Sequence, residues 1–191
     1  MKSIVILTSA LLAGGLLTVN TSKPVKNTLS SSSAFRRPDA SAGPVGAVSI
    51  TIDKSDYELS VYDEKGWYAT YPVVFGNNSL EDKKMEGDRL TPDGTFKIIA
   101  KKYHKDWGCF LLLDYPTQDN VRKFEERKTR GQIPKTAKIG SAIGIHGTKP
   151  SEEYAVDKFM NWTNGCISTK YSDIFEIYEM LPVGTTVVIQ Q

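Results

Sequence analysis

The sequence contains few of the residues that build disulfide scaffolds and metal sites, with two cysteines and two histidines among 191 residues. A chain of this length buries a hydrophobic core without disulfide bonds, so the cysteines are not needed as a scaffold. One catalytic zinc site would nearly use up the histidines. Charge of one sign is also lacking, because 24 basic residues face 22 acidic ones and no long basic run occurs. The charge pattern therefore predicts no nucleic-acid partner.

The N-terminal part of the chain differs in composition from the rest. Residues 4–17 form an apolar run behind Lys2, which is short for a membrane span and typical of a signal peptide, so residues 1–20 are predicted to direct export. An uncleaved anchor that tethers the protein to the membrane is the alternative. Residues 21–44 are rich in Ser, Pro and small residues and predict a flexible linker. Residues 45–191 then form one domain.

Short extended segments dominate this domain. Apolar residues alternate over residues 48–52 and 57–61 on either side of one loop, which predicts a β-hairpin. Further strands are predicted at residues 67–75, 96–100, 110–113, 139–145 and 185–189.

Two helices are predicted between these strands. The first, at residues 120–130, is charged almost throughout. The second follows an N-cap at Ser172 and places one apolar stripe against the core, formed by Ile174, Ile177, Tyr178 and Leu181. The whole pattern predicts a mostly β fold with helical embellishments.

Cys166 lies in a polar, turn-prone segment, TNGCIS at residues 163–168. A structural cysteine more often lies among large apolar neighbours. The alternative interpretation is a hairpin turn at Asn164 and Gly165 that leads Cys166 into a buried strand. His146 ends a predicted strand, so its imidazole is expected to project into a loop, where catalytic side chains are commonly placed.

A cysteine and a histidine together can form a nucleophile and its base. A thiol with an ordinary pKa of about 8.5 is mostly protonated at neutral pH, and a neighbouring imidazole accepts its proton. Attack on a carbonyl develops an oxyanion that backbone N–H groups stabilise, and Gly165 beside the nucleophile allows substrate to approach the main chain. No acidic residue flanks His146, so the Gly147 carbonyl is the nearest candidate to fix its tautomer.

These segments resemble a known family. IGIHGT at residues 143–148, followed by TNGCI at residues 163–167, is similar to the His-Gly and Ser/Thr-x-Gly-Cys motifs of the L,D-transpeptidase catalytic domain (YkuD-like) family. TPDGTF at residues 91–96 and LDYP at residues 113–116 resemble two further family segments. The resemblance runs through most of residues 45–191 and implies an L,D-transpeptidase-like β-sandwich.

The resemblance implies an exported enzyme of the periplasm or cell envelope that acts on peptidoglycan stem peptides. Cys166 would attack the amide after the third stem residue, leaving a thioester that an amine of a neighbouring stem resolves into a 3→3 cross-link. His146 would be the general base. The oxyanion site and its support would come from Gly165, Asn164 and Thr163 together with the N–H of Cys166. Neither a metal nor an organic cofactor is needed.

The sequence also departs from the family pattern. Ser168 occupies a position where many members have Arg, and Asn164 one where others often have His, Tyr or Lys. Some matches favour a branch that includes peptidoglycan amide hydrolases, so a carboxypeptidase or amidase that transfers the acyl group to water is the alternative. A noncatalytic wall-binding module is a further one. Trp162 and Ser168 are candidate substrate contacts.

The second cysteine and the second histidine are predicted to be bystanders. Cys109 begins an apolar strand, where a buried inert thiol is expected, and His104 lies in a charged segment. A disulfide between Cys109 and Cys166 is the structural alternative to a catalytic cysteine, because an exported protein meets oxidants.

Overall fold

Strands dominate the regular structure of residues 35–36 and 42–191, which are the residues that the computed structural model describes. The predicted signal peptide and most of the predicted linker lie outside these residues. The strands are β1 (Phe35–Arg36), β2 (Ser49–Asp53), β3 (Glu58–Asp63), β4 (Gly66–Val74), β5 (Gly94–His104), β6 (Gly108–Leu113), β7 (Gly144–Gly147), β8 (Ile167–Thr169) and β9 (Thr186–Gln190). The helices are α1 (Gln118–Thr129), α2 (Tyr154–Asp157) and α3 (Tyr171–Met180), and a short 3-10 turn spans Pro150–Glu152. The prediction of a mostly β fold is confirmed.

The strands form one sheet that closes on itself. Their order is β1-β4-β3-β2-β9-β5-β6-β7-β8, and β8 pairs again with β4. The predicted hairpin is present as β2 and β3, which are antiparallel. Two pairs are parallel, β2 with β9 and β7 with β8. The family resemblance implied a β-sandwich; in the described chain eight strands close into a barrel-like ring, with β1 attached outside it on β4.

The two longest strands make this closure possible because each pairs with different partners along its length. The first part of β4 pairs with β3, whereas Val73 and Val74 pair with β8. The first part of β5 pairs with β9, and from Ile98 onward the strand pairs with β6. A register shift lies between Ile98 and Ala100, where the partner changes. Such irregularities bend a strand and increase its twist.

α3 packs on β6 and β7 and completes the core. Ile174, Ile177 and Leu181 of the predicted stripe are fully buried. The helix begins two residues earlier than predicted, with Lys170 as N-cap and no capping side chain. The N-cap prediction for Ser172 is therefore wrong: its N–H is bonded to the Glu153 carboxylate, which supplies a cap from outside the helix.

α1 confirms the predicted charged helix. Thr117 and Asn120 form a reciprocal capping box at its start. Arg122 bridges acidic residues one turn away on each side, which supports an exposed helix face. Arg127, in the last turn, donates to the Lys83 carbonyl and to the Asp82 carboxylate. α1 is thus attached to the loop that precedes β5.

β7 is shorter than the predicted strand at residues 139–145. Ala142 has a φ of 60°, in the left-handed region, so the chain turns there and regular pairing begins only at Gly144. β7 then reaches Gly147, which keeps His146 inside the strand. None of the helices in the described ranges has the length and apolar content that a bilayer crossing needs.

Candidate active site

His146 and Cys166 lie on two neighbouring parallel strands. His146 of β7 is the register partner of Ser168 in β8, and Cys166 immediately precedes β8. Side chains two positions apart in an extended chain project to the same face. Cys166 and Ser168 are two positions apart, so the closed sheet places the imidazole and the thiol on one face.

The His146 imidazole is held in one tautomer by its own strand. Its Nδ1 lies 2.8 Å from the Gly147 carbonyl oxygen. A carbonyl oxygen only accepts hydrogen bonds, so Nδ1 carries the proton and Nε2 presents its lone pair. Gly147 is required at this point, because a Cβ there would lie 2.7 Å from the Trp107 carbonyl oxygen and 2.9 Å from the Ile174 side chain.

Aromatic rings enclose the His146 imidazole, which is only 2% exposed. Trp107 stacks on it with centroids 4.6 Å apart, Phe110 lies nearly parallel at 6.0 Å, and Trp162 meets it edge-on at 5.4 Å. Burial lowers the pKa of His146 to about 4, although the hydrogen bond to Gly147 acts in the opposite direction. The imidazole is therefore neutral at physiological pH and able to accept a proton.

Cys166 is half-buried and lines a cavity of about 570 Å³. The remaining lining residues come from β5, β6 and the loops beside them: Ala100, Lys102, His104, Trp107, Phe110, Leu112 and Ala142. The thiol Sγ lies 3.6 Å from the Ala142 carbonyl oxygen. Burial raises the pKa of the Cys166 thiol, while the Gly144 N–H and the Lys83 ammonium act to lower it.

The turn that carries Cys166 is closed by one side chain. The Thr163 hydroxyl donates to the Cys166 carbonyl at 2.8 Å and accepts the Gly165 N–H at 3.1 Å. Asn164 is exposed at the apex between them. Because the Gly165 N–H already has this partner, the N–H groups of Asn164 and Cys166 are the better candidates for an oxyanion site.

Gly165 is a backbone requirement of the turn. Its φ is +123°, and a Cβ would lie 2.7 Å from the Leu90 carbonyl oxygen. Thr91 donates its hydroxyl to the Gly165 carbonyl at 3.0 Å, and Arg89 Nε donates to the Thr163 carbonyl at 3.2 Å. The segment at residues 88–91 therefore fixes the turn through hydrogen bonds to two of its carbonyl groups.

Trp162 and Ser168, the candidate substrate contacts, both lie next to His146. Trp162 is half-buried, contacts the imidazole edge-on, and its buried Nε1 has no hydrogen-bonding partner in the described chain. Ser168 is fully buried as the strand partner of His146, and its hydroxyl likewise has no partner there. Cys166, not Ser168, reaches the cavity.

Cys109 and His104, the two residues predicted to be bystanders, differ in their distance from the site. Cys109 is fully buried, and both cysteines are free, so the alternative of a Cys109–Cys166 disulfide is wrong for this fold. His104, expected in the solvated segment, lies at the end of β5, lines the cavity and stacks on Trp107 with centroids 4.2 Å apart. It therefore borders the site.

Sequence reasoning missed several residues around the site. Trp107 was not assigned to it, and Lys83, Asp88, Arg89 and Thr91 were not singled out. The only sequence signal was the family-like segment around residues 88–96. That segment lies far from Cys166 in the chain and reaches it only in the closed sheet.

The chain belongs to the L,D-transpeptidase catalytic domain (YkuD) family, whose family model matches residues 47–189. A relative is the Bacillus subtilis (strain 168) protein YqjB, whose name assigns it to the L,D-transpeptidases. It is 28% identical over 144 residues, which cover 73% of this chain and 69% of the relative.

Solved structures show the same fold at low sequence identity. The helical cell shape determining protein Pgp2 from Campylobacter jejuni aligns with a TM-score of 0.54 and 21% identity, covering 76% of this chain and 48% of Pgp2. A mutant L,D-transpeptidase of Enterococcus faecium aligns with a TM-score of 0.50 and 16% identity, covering 75% and 50% of the two chains. This chain thus spans about half the length of these structures.

Proposed function

We propose that this protein is an exported peptidoglycan L,D-transpeptidase that forms 3→3 cross-links through a thioester on Cys166. The observation that carries the proposal is the arrangement of the pair. His146 is neutral, fixed with Nε2 as its free acceptor, and shares one face of the sheet with a thiol that opens onto a cavity. Family membership supplies the substrate class, peptidoglycan stem peptides.

The first half-reaction forms the acyl-enzyme. The thiol Sγ attacks the carbonyl carbon of the amide after the third stem residue, and its proton passes to Nε2 of His146. Collapse of the tetrahedral intermediate breaks the C–N bond, and Nε2 returns the proton to the departing amine of the fourth residue. The products are a thioester on Cys166 and a free terminal amino acid.

The second half-reaction transfers the acyl group. An amine of a neighbouring stem attacks the thioester carbonyl and gives its proton to Nε2 of His146. The C–S bond then breaks, the new amide is the 3→3 cross-link, and the proton returns to Sγ. In both halves the N–H groups of Cys166 and Asn164 stabilise the oxyanion, because Thr163 already occupies the Gly165 N–H.

The cavity chemistry agrees with a peptide that is partly apolar and bears carboxylates. Its lining includes the apolar side chains of Ala100, Leu112 and Phe110, while Lys102 and His104 supply basic groups. Lys102 lies 5.5 Å from the Phe110 ring centroid. Lys102 of β5 therefore supplies a cation in the cavity lining. Many family members have an arginine at the position of Ser168, which carries no charge here.

The test is incubation of the purified protein with a defined tetrapeptide muropeptide, followed by mass spectrometry. Cross-linked dimer with release of the terminal residue is the expected product. Tripeptide without dimer would indicate that the enzyme transfers the acyl group to water instead of an amine. Unchanged substrate that binds equally well to the wild type and to His146→Ala would indicate a noncatalytic wall-binding module.

A carbapenem provides a second, substrate-independent readout. Intact mass is expected to show one adduct on the wild type and none on Cys166→Ala, while Cys109→Ala retains the adduct because Cys109 is fully buried. Absence of an adduct on wild-type protein with a reduced, accessible Cys166 would contradict the proposal.

A further inference from the structure

Lys83 is a buried lysine beside the turn that carries Cys166. Its side chain is 3% exposed, and its Nζ lies 2.7 Å from Asp88 Oδ1. An ammonium is rarely buried, because removing it from water is costly unless a partner compensates. A buried ion pair adds little net stability compared with apolar residues of similar size, so its placement at a reactive turn calls for another role.

Asp88 fixes the position of this ammonium. Its Oδ2 accepts the N–H groups of Lys84 and Met85, and its Oδ1 accepts the N–H of Leu90 together with Lys83 Nζ. These bonds lower the pKa of Asp88 against the opposing effect of burial, so the carboxylate stays ionised. The lysine is thereby anchored by a rigid loop.

The positive end of the pair faces the nucleophile turn. A Cβ built on Gly165 would lie 3.4 Å from Lys83 Nζ, and no carboxylate atom is among its three nearest neighbours. Gly165 directly precedes Cys166. Within the described chain, Asp88 is the one hydrogen-bonding partner of Nζ, although an ammonium has three donors. The cation therefore has capacity left for negative charge that forms at the turn.

We propose that Lys83 is a positioning residue that stabilises the thiolate of Cys166 through its charge, with Asp88 fixing it in place. The proposal rests on the proposed function of Cys166 as nucleophile and adds to it a source of activation besides His146. Lys83 transfers no proton. It lowers the free energy of the thiolate relative to the thiol. Without a nearby cation, burial would disfavour the charged thiolate.

Other titratable groups also lie near this thiol and must be held constant in a test. His146 faces it from β7, and His104 and Lys102 line the same cavity from β5. None of these three is altered by a change at Lys83, so a shift in the thiol titration can be assigned to the lysine.

The experiment measures the rate of iodoacetamide alkylation of Cys166 against pH in the full-length protein. The modified peptide is quantified by mass spectrometry, so that Cys109 does not contribute. Lys83→Met is expected to raise the apparent thiol pKa by on the order of 1 unit and to slow alkylation at pH 7 about tenfold. Lys83→Arg, which keeps the charge, is expected to stay close to the wild type.

Lys54 provides a matched control. It is also a buried lysine, 2% exposed, paired with Asp93 at 2.6 Å and bonded to the Leu80 and Glu81 carbonyls of the same loop. Lys54→Met is expected to lower the melting temperature without moving the thiol pKa. Equal shifts in Lys54→Met and Lys83→Met would show that loop disruption is the cause and would overturn the proposal.

Two further outcomes separate the proposals. Wild-type protein that forms the carbapenem adduct, with a thiol pKa unchanged in Lys83→Met, overturns the role of Lys83 and leaves the proposed function standing. Wild-type protein that forms no adduct overturns the function itself. If Lys83→Met does not fold, Lys83→Gln removes the charge while keeping a donor for Asp88, and the same shift is expected.

Discussion

The indole ring of Trp107 stacks on the imidazole of His146, with centroids 4.6 Å apart and an angle of 26° between the planes. His104 stacks on Trp107 in turn, at 4.2 Å and 13°. Trp107 therefore separates an inner, buried histidine from an outer one at the cavity. Because burial is the main cause of the lowered pKa of His146, we expect this ring to contribute to keeping the proposed base neutral.

Removing Trp107 is expected to expose the imidazole. In Trp107→Ala the pKa of His146 should rise from about 4 towards its ordinary value of 6.5. Histidine NMR titration in a His104→Gln background reads this pKa directly. At pH 5 to 6 the variant should lose carbapenem acylation more steeply than the wild type, since its base becomes protonated.

Trp67→Ala is the control for loss of a tryptophan. Trp67 lies on β4, is 36% exposed and donates to the Thr70 hydroxyl. Its removal should leave the His146 titration unchanged. A pKa of His146 that stays near 4 in Trp107→Ala would contradict the shielding role.

The buried, neutral His146 predicts a loss of stability in mild acid. Between pH 6.5 and about 4 the unfolded chain takes up a proton at this histidine and the folded chain does not, so lowering the pH favours unfolding. The free energy of unfolding, measured with urea, should fall by roughly 2–3 kcal/mol between pH 7 and pH 4.5.

His146→Gln is expected to flatten this pH dependence, and His104→Gln is expected to retain it. Asp53 and Asp88 have lowered pKa values, so their contributions to stability are lost only at more acidic pH, below the ordinary value of 3.8. An equal slope in His146→Gln and the wild type would assign the effect to other groups.

Gly165→Ala is expected to destabilise the turn of the nucleophile. The new Cβ would lie 2.7 Å from the Leu90 carbonyl oxygen, at a φ of +123°. The expected cost is about 3 kcal/mol or more, with loss of the carbapenem adduct. Gly131→Ala is the matched control, because Gly131 has a φ of +68° but nothing within 4 Å, so only backbone strain of about 1 kcal/mol remains.

The hydroxyl of Thr163 is expected to matter more than its methyl group. Thr163→Ala leaves the buried Gly165 N–H without its partner and removes the donor to the Cys166 carbonyl. We expect a loss of about 1–3 kcal/mol and at least tenfold slower acylation. Thr163→Ser keeps both bonds and should acylate within about threefold of the wild type; equal losses in the two variants would place the effect in packing.

The residues that could be predicted share one property, a local signal. The alternation of β2 and β3, the apolar stripe of α3 and the motifs around His146 and Cys166 can each be read within about ten residues. The ends of strands and helices were predicted less accurately where they depend on backbone conformation or on a side chain from another segment. The positive φ of Ala142 shortened β7, and a carboxylate from Glu153 replaced the expected cap at Ser172.

The sequence by itself determined the β-rich class, the family and the two residues proposed as nucleophile and base. Only the tertiary structure decided the closed sheet, the stacking of Trp107 on His146 and the approach of Lys83 to Gly165. The physical reason is that these contacts depend on pairing between distant strands, such as β4 with β8, and on which side chains that closure removes from water. No periodicity or motif in a single segment records such a contact.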